Sequence, residues 1–174
     1  LNVEGTWLMT HAVATKAMMD GRGGKIVNVT LSPHHGLPGM AHSSAARAAV
    51  ENLTRVLSIE WARFGIKLTA LAAGHFATET LMTKYPKAVV EGVAGTVPLG
   101  RLGTAEEFAW LVAYLASPAG DYFSGAVLTL DGGKVKTCAI ALTNVAPTPL
   151  FAKAASDLVI GTALDAATIK AAAD

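Results

Sequence analysis

The segment spanning residues 25–71 leaves few alternatives to a strand–helix–strand unit. In its middle, residues 41–64 place Ala46, Val50, Leu53, Leu57, Trp61 and Phe64 at intervals of four, three, four, four and three. That rhythm draws one apolar stripe along a helix of 3.6 residues per turn. Gly65 comes next, where a helix ends most readily. Short apolar runs flank it: 25–30 (KIVNVT), between the glycines 21, 23, 24 and the turn residues Gly36, Pro38 and Gly39, and 66–71 (IKLTAL). Short β-branched runs bounded by turn signals read as buried strands. A helix between two strands brings them together in parallel.

The rest of the chain extends this pattern. Residues 1–19 carry Val3, Trp7, Leu8, Met9, Val13 and Met18 in a rough helical stripe, predicting a helix up to the glycine cluster. Residues 72–103 hold seven glycines and prolines between short helical pieces and read as a long functional loop. Thr104-Ala-Glu-Glu107 is a capping box, which predicts a helix to about Ala116, stopped by Pro118. A third strand is expected over 126–130, closed by Asp131-Gly-Gly133. The order helix–strand–helix–strand–helix–strand predicts an α/β fold, a parallel sheet covered by helices. After Gly133 the pattern changes to a strand-like run, 135–142, a loop broken by Pro147 and Pro149, and Ala-rich helical pieces. We place a domain boundary at 133/134, giving units 1–133 and 134–174.

Composition narrows the function classes. Hydrophobic residues make up 52% and charged residues 16% of 174 residues, with a mean hydropathy of +0.42. A disordered chain is excluded. The longest apolar run, 108–116, is too short to span a bilayer. The net charge of +1, without any charge block, offers no footprint for nucleic acid or a membrane surface. The single cysteine, Cys138, cannot form an internal disulfide, and no metal-ligand spacing surrounds it. A reducing cytoplasm is the expected location. The first residue is Leu1, already inside a helical pattern, so a piece of a longer protein is expected.

Six short signatures, in order, resemble the carboxy-terminal half of a short-chain dehydrogenase/reductase. They are Asn2-Val-Glu-Gly5 at the head of a helix, Gly24-Lys-Ile-Val-Asn28 on a strand, and Ser43-x-x-x-Arg47 opening the long helix. Asn52-Leu-Thr54, Ala73-Gly74 with Thr78, and Asp131-Gly-Gly133 complete them. The wording His42-Ser43-x-Ala-Ala-Arg47 resembles the enoyl-CoA-reductase-like and terpenoid-alcohol-dehydrogenase-like members. Residues 134–174 resemble something else: the carboxy-terminal domain of the FAD-binding subunit of molybdenum hydroxylases, the carbon-monoxide/xanthine dehydrogenase group. The expected architecture is therefore a partial doubly wound, Rossmann-like sheet with a short α/β tail, a fusion or misassembly of two gene pieces.

The resemblance implies NAD or NADP as cofactor, a small-molecule substrate and a homo-oligomer whose contact surface uses the helices at 1–19 and 41–64. It also implies site residues: Asn2, Thr30, Ser43 and Arg47 as catalytic, and Arg47, Gly74 and Thr78 as cofactor-binding. Two departures stand out. The family's glycine-rich, pyrophosphate-binding turn has no counterpart in this sequence, so weak cofactor binding is expected. The family's Tyr and Lys are replaced by Ser43 and Arg47, and Ala73 stands where Pro is usual.

Ser43 and Arg47 are four residues apart and share one helix face. A serine hydroxyl is too weak an acid to replace a tuned phenol, whereas an arginine fork stabilises negative charge. This pair therefore suits an enolate better than an alkoxide. The alternative is that both face solvent on a surface helix. Thr30 is either the substrate-orienting hydroxyl, with Ser32 close behind, or a plain strand residue. Asn2 is either the family's water-holding position or a polar residue in a frayed terminus. His42 could act as an acid or cap the helix, and His34 and His35 lack a metal partner. Gly74 is open to a plain turn reading. Residues 81–97 would form the substrate lid.

Overall fold

A computed structural model describes residues 2–31, 39–133, 141–142, 150–151, 153–161 and 166–173. The expected elements that fall on Ser32, His34, His35, Cys138, Pro147 and Pro149 lie outside these. Two compact units are present: residues 1–85 with 103–131, and residues 86–102 with 132–174.

The first unit is built on three parallel strands in the order β1-β2-β3: β1 (Gly24–Leu31), β2 (Ile66–Ala73) and β3 (Val127–Leu130). Gly24 faces Ile66 and Leu31 faces Ala73, while Ala70 faces Val127. Before β1 comes α1 (Asn2–Val13), which continues as a π-helical turn, Ala14–Met18. The single helix expected over 1–19 therefore changes winding. Ala14, at the switch, is fully buried in the core against Leu57, Trp61, Ile66 and Leu68. A widened turn inside a helix rotates the residues after it about the axis, and here Met18 and Met19 pack on that core.

Between β1 and β2 runs α2 (Ala41–Glu60), then a 3-10 turn, Ala62–Phe64. Gly65 takes φ +71°, a left-handed conformation that a side chain disfavours, and leads into β2. The stripe read from the sequence is the face that is buried: Val50, Leu57 and Trp61 pack inward, with Leu53 and Phe64 partly covered. Leu57 and Trp61 meet β2 through Ile66 and Leu68.

The opposite face of the sheet is held by α5 (Ala105–Ala116) and the turn after it. The capping box is formed: Glu107 N–H donates to Thr104 Oγ1 and Thr104 N–H to the Glu107 carboxylate. Lys25 Nζ donates to the Ser117 carbonyl and pairs with Asp121 at 2.8 Å, with Lys67 at 3.6 Å. The bond from Lys25, reinforced by both ammonium charges, holds the Asp121 carboxyl below its usual range. The chain steps the same way along the sheet at both crossovers, yet α2 and α5 cover opposite faces. The two crossovers are therefore of opposite hand.

Residues 72–103 contain more helix than an extended loop would: α3 (Glu79–Lys84) in the first unit and α4 (Lys87–Thr96) in the second. In the second unit, β4 (Ala141–Leu142) pairs antiparallel with β5 (Leu150–Phe151), and α6 (Lys153–Val159) packs with α7 (Ala166–Ala173). Among the described residues no helix is long and apolar enough to cross a membrane, and no cluster of potential metal ligands occurs.

Candidate functional site

Thr30, Arg47 and Gly74 lie where β1 and β2 end, whereas Asn2 sits at the exposed start of α1. In parallel α/β sheets, ligands bind beyond the carboxyl ends of the strands, because loops and helix termini meet there. Three contacts stitch α2 to β1 toward that end. Asn28 Nδ2 donates to Thr54 Oγ1 at 2.9 Å, and the Thr54 hydroxyl donates to the Val50 carbonyl, all buried. Thr30 Oγ1 donates to Glu51 Oε1 at 3.1 Å. Arg47 Nη1 donates to the Val29 carbonyl at 2.9 Å. These spacings fix the face of α2 that overlooks the strand ends.

Ser43, Arg47 and Glu51 succeed one another at four-residue intervals and so lie along that face. Ser43 and Arg47 are both half-buried. Ser44 Oγ and Arg47 Nε are enclosed without a hydrogen-bond partner. A buried donor without an acceptor is costly, so the Arg47 fork retains unsatisfied capacity beside the strand ends. Thr30 is buried, and its hydroxyl proton is directed to Glu51. His42 is exposed on the first turn of α2, where Met40, not His42, is the N-cap. Asn2 is exposed at the start of α1, and its carbonyl accepts from Thr6 Oγ1.

Gly74 leaves the end of β2 with its N–H bonded to the Leu130 carbonyl. A Cβ built there would lie 2.5 Å from both Cα and Cβ of Asp131, so only glycine allows this approach. Thr78 is the N-cap of α3, its Oγ1 accepting from Leu81 N–H at 3.2 Å. Between them the segment borders an open pocket of about 650 Å³, lined by Gly74, His75, Phe76, Thr78, Tyr85 and Phe108 among others. Phe76 and Phe108 meet edge to face at 5.4 Å. The cavity has room for a planar aromatic ring, beside polar backbone at Gly74 and Thr78.

Sequence reasoning did not single out Glu51 or the Val29 carbonyl. Glu51 was detectable as the next position after Arg47 on the same helix face. Nothing in the local sequence marks a strand carbonyl.

Residues 1–134 match the family model described as "Enoyl-(Acyl carrier protein) reductase". Residues 121–174 match the model described as "CO dehydrogenase flavoprotein C-terminal domain", so the two overlap at the end of the sheet. Gluconate 5-dehydrogenase of Gluconobacter oxydans is 35% identical over 134 residues, covering 76% of this chain and 52% of that protein. A Bacillus subtilis protein named "Probable 2,4-dienoyl-CoA reductase" is 37% identical, covering 76% and 54%. The solved citronellol catabolism dehydrogenase of Pseudomonas aeruginosa is 34% identical with a TM-score of 0.63, over 75% of this chain and 50% of that one. The chain thus spans about half the length of the relatives it matches. By the family-model match and its parallel sheet, the chain belongs to the short-chain dehydrogenase/reductase family through residues 1–134.

Proposed function

We propose that the domain containing residues 1–133 is an oxidoreductase that reduces a conjugated acyl thioester at its double bond, with residues 134–174 a separate piece. The observation that carries this reading is the Ser43/Arg47 pair on one half-buried helix face beside the ends of β1 and β2.

The nicotinamide end of an NAD or NADP molecule fits the residues present. Gly74 and Thr78 frame a cavity wide enough for its ring, and the Arg47 fork stands at the neighbouring strand end. When bound, that cofactor supplies a hydride. Its pyrophosphate would be held by the half of the relatives' length that this chain does not span. Thr30 ties Glu51 to the end of β1, Ser43 donates a hydrogen bond to the substrate oxygen, and Arg47 neutralises charge that gathers on a thioester carbonyl as an enolate forms. Asn2, on α1, belongs to the same set through the family pattern. Arg47 does not release its proton, and Ser43 is too weak an acid, so the final proton comes from water. A ketone is a poorer substrate, because its alkoxide needs a proton as hydride arrives. A terpenoid alcohol or aldehyde is the other substrate class, supported by the name of the citronellol relative.

The test completes the domain with the amino-terminal half of that citronellol dehydrogenase. Turnover of a medium-chain 2-enoyl thioester with NADPH and NADH is expected to exceed that of the matching 3-ketone. A higher rate on the ketone would overturn the proposal.

A second reading, a non-enzymatic remnant that self-associates, has its own support. Leu8, Met9 and Ile59 on α1 and α2 are 58%, 67% and 79% exposed, beside Trp7 and Val56. Apolar surface of this kind marks an interface. Light scattering of the 174-residue chain is expected to give a dimer or larger species. A monomer at 50 µM, a concentration on the order of that at which modest interfaces form, would count against both association and the homo-oligomer expected of the enzyme.

A further inference from the structure

A second pocket lies at the other end of the sheet, where β2 begins. It has a volume of about 400 Å³ and is lined by Met19, Glu60, Trp61, Arg63 and Phe64. All five belong to the first unit. None belongs to the Ser43/Arg47 face or to the pocket at Gly74, which stand at the far ends of the strands. Two walls are fixed by backbone bonds. On one side the π-helical turn presents Met19, whose N–H donates to the Ala14 carbonyl at 2.9 Å. Such turns give up regular helix pairing and accompany functional sites. On the other side the Trp61 carbonyl accepts from Phe64 N–H at 2.9 Å and Ile66 N–H at 3.4 Å, which pins the turn after α2. Trp61 is rooted in the core at 6% exposure, and Met19 and Phe64 are half-buried against that core. The apolar walls therefore need little ordering to receive a ligand.

The charges at its mouth say what fits. Glu60 ends α2, and no basic residue stands in that helix's last turn. A carboxylate there meets the negative end of the helix macrodipole, so the position favours a cation beside it. Arg63 follows three residues later. Its guanidinium lies over the Phe64 ring, 4.7 Å from the centroid, held by an interaction that spends none of its N–H donors. Glu60 and Arg63 do not pair with each other, and neither side chain has an ion-pair or hydrogen-bond partner among the described residues. One small pocket thus carries an open anion, an open cation, and a wall of aromatic rings and a thioether. The complementary molecule has an ammonium and a carboxylate on one carbon and an aromatic ring beyond them, a ring that packs well on sulfur and on other rings.

We propose that this pocket binds a free aromatic α-amino acid, its ammonium on Glu60, its carboxylate on Arg63 and its ring among Met19, Trp61 and Phe64. The site is separated from Gly74 by the eight residues of β2, roughly 25 Å. Binding there is independent of the reduction proposed above, and it is read in the chain without substrate or cofactor.

The test is titration of the 174-residue chain with L-phenylalanine, followed by ¹H–¹⁵N NMR. Saturable shifts are expected at the Trp61 indole N–H and at the Met19, Arg63 and Phe64 amides, with a Kd on the order of 0.1–1 mM, while the Gly74 and Thr78 amides stay in place. N-acetyl-phenylalanine lacks the ammonium, phenylalanine amide lacks the carboxylate and glycine lacks the ring. Each should bind about tenfold more weakly or worse. The same loss is expected for L-phenylalanine with Glu60→Gln and with Arg63→Gln, both at exposed positions outside the core. Absence of saturation at concentrations on the order of 10 mM would overturn the site. N-acetyl-phenylalanine binding as tightly as phenylalanine would overturn it too, leaving an Arg63 anion site of the kind a peptide carboxyl terminus fills. Phenylalanine amide binding equally well would leave only a cation site at Glu60, and glycine binding equally well would remove the ring from recognition; either result overturns the proposal. If a variant fails to fold, the three analogues decide the matter alone.

Discussion

Replacing Gly74 with alanine is expected to cost about 3 kcal/mol or more of stability, large for a single methyl group. The added Cβ would sit 2.5 Å from Cα and Cβ of Asp131, and neither strand end can retreat. Gly74 N–H is tied to the Leu130 carbonyl, one residue before Asp131. The overlap is thus with backbone anchored in the same sheet, not with the tip of a flexible side chain. A domain of this size should lose roughly 6–12 °C in Tm, measured by thermal unfolding. Gly92→Ala is the control. It lies inside α4 with nothing within 4 Å of the new atom, and alanine is the better helix former, so it should be neutral or stabilising by up to ~1 kcal/mol. Equal effects from the two substitutions would disprove the close approach at Gly74. Because the cavity begins at Gly74, cofactor affinity of the completed domain should fall together with stability.

Arg47→Met should lower enoyl reduction in the completed domain by roughly 100- to 1,000-fold, mainly in kcat. The methionine keeps an apolar stem but removes the fork beside the strand ends. An interaction made chiefly as the enolate forms appears in kcat; one made equally with bound substrate appears in KM. Arg47→Lys should recover part of the loss, since it restores charge without the planar fork. Steady-state kinetics of the three proteins on one enoyl thioester decide the matter. Unchanged kcat in Arg47→Met would remove Arg47 from the mechanism, and exposed His42, one residue before Ser43, would be the next group to substitute.

Periodicity made the scaffold legible. The stripe from Ala46 to Phe64 gave α2 its buried face because helix burial repeats every three to four residues, whatever the neighbouring fold. The capping box at Thr104 and Glu107 was legible for a similar reason: both partners sit in one turn, and both bonds form. Short runs such as 25–30 gave β1, which extends one residue further at each end. The π-helical turn at Ala14 was not legible, since it answers to where Met18 and Met19 must pack, a demand that comes from α2 and β2. That Thr78 caps α3 was likewise not read from the sequence. The partners of Thr30 and Arg47 were hidden for a related reason. Glu51 and the Val29 carbonyl meet them only after α2 has docked on β1 in one register, and a carbonyl carries no residue type by which to recognise it.

The strand register also dictates an order of events during folding. Between the end of β1 and the start of β2, α2 takes up more than half of the connecting residues, so forming it brings the two strands close. Ala70 and Val127 are separated by a longer stretch, interrupted by turns at Pro86 and Pro98. Closing the longer connection costs more chain entropy before any contact rewards it. The β1–α2–β2 unit is therefore the nucleus, and β3 joins late. Substitutions in the Leu57–Trp61–Leu68 core should slow folding, while those in β3 should mainly speed unfolding.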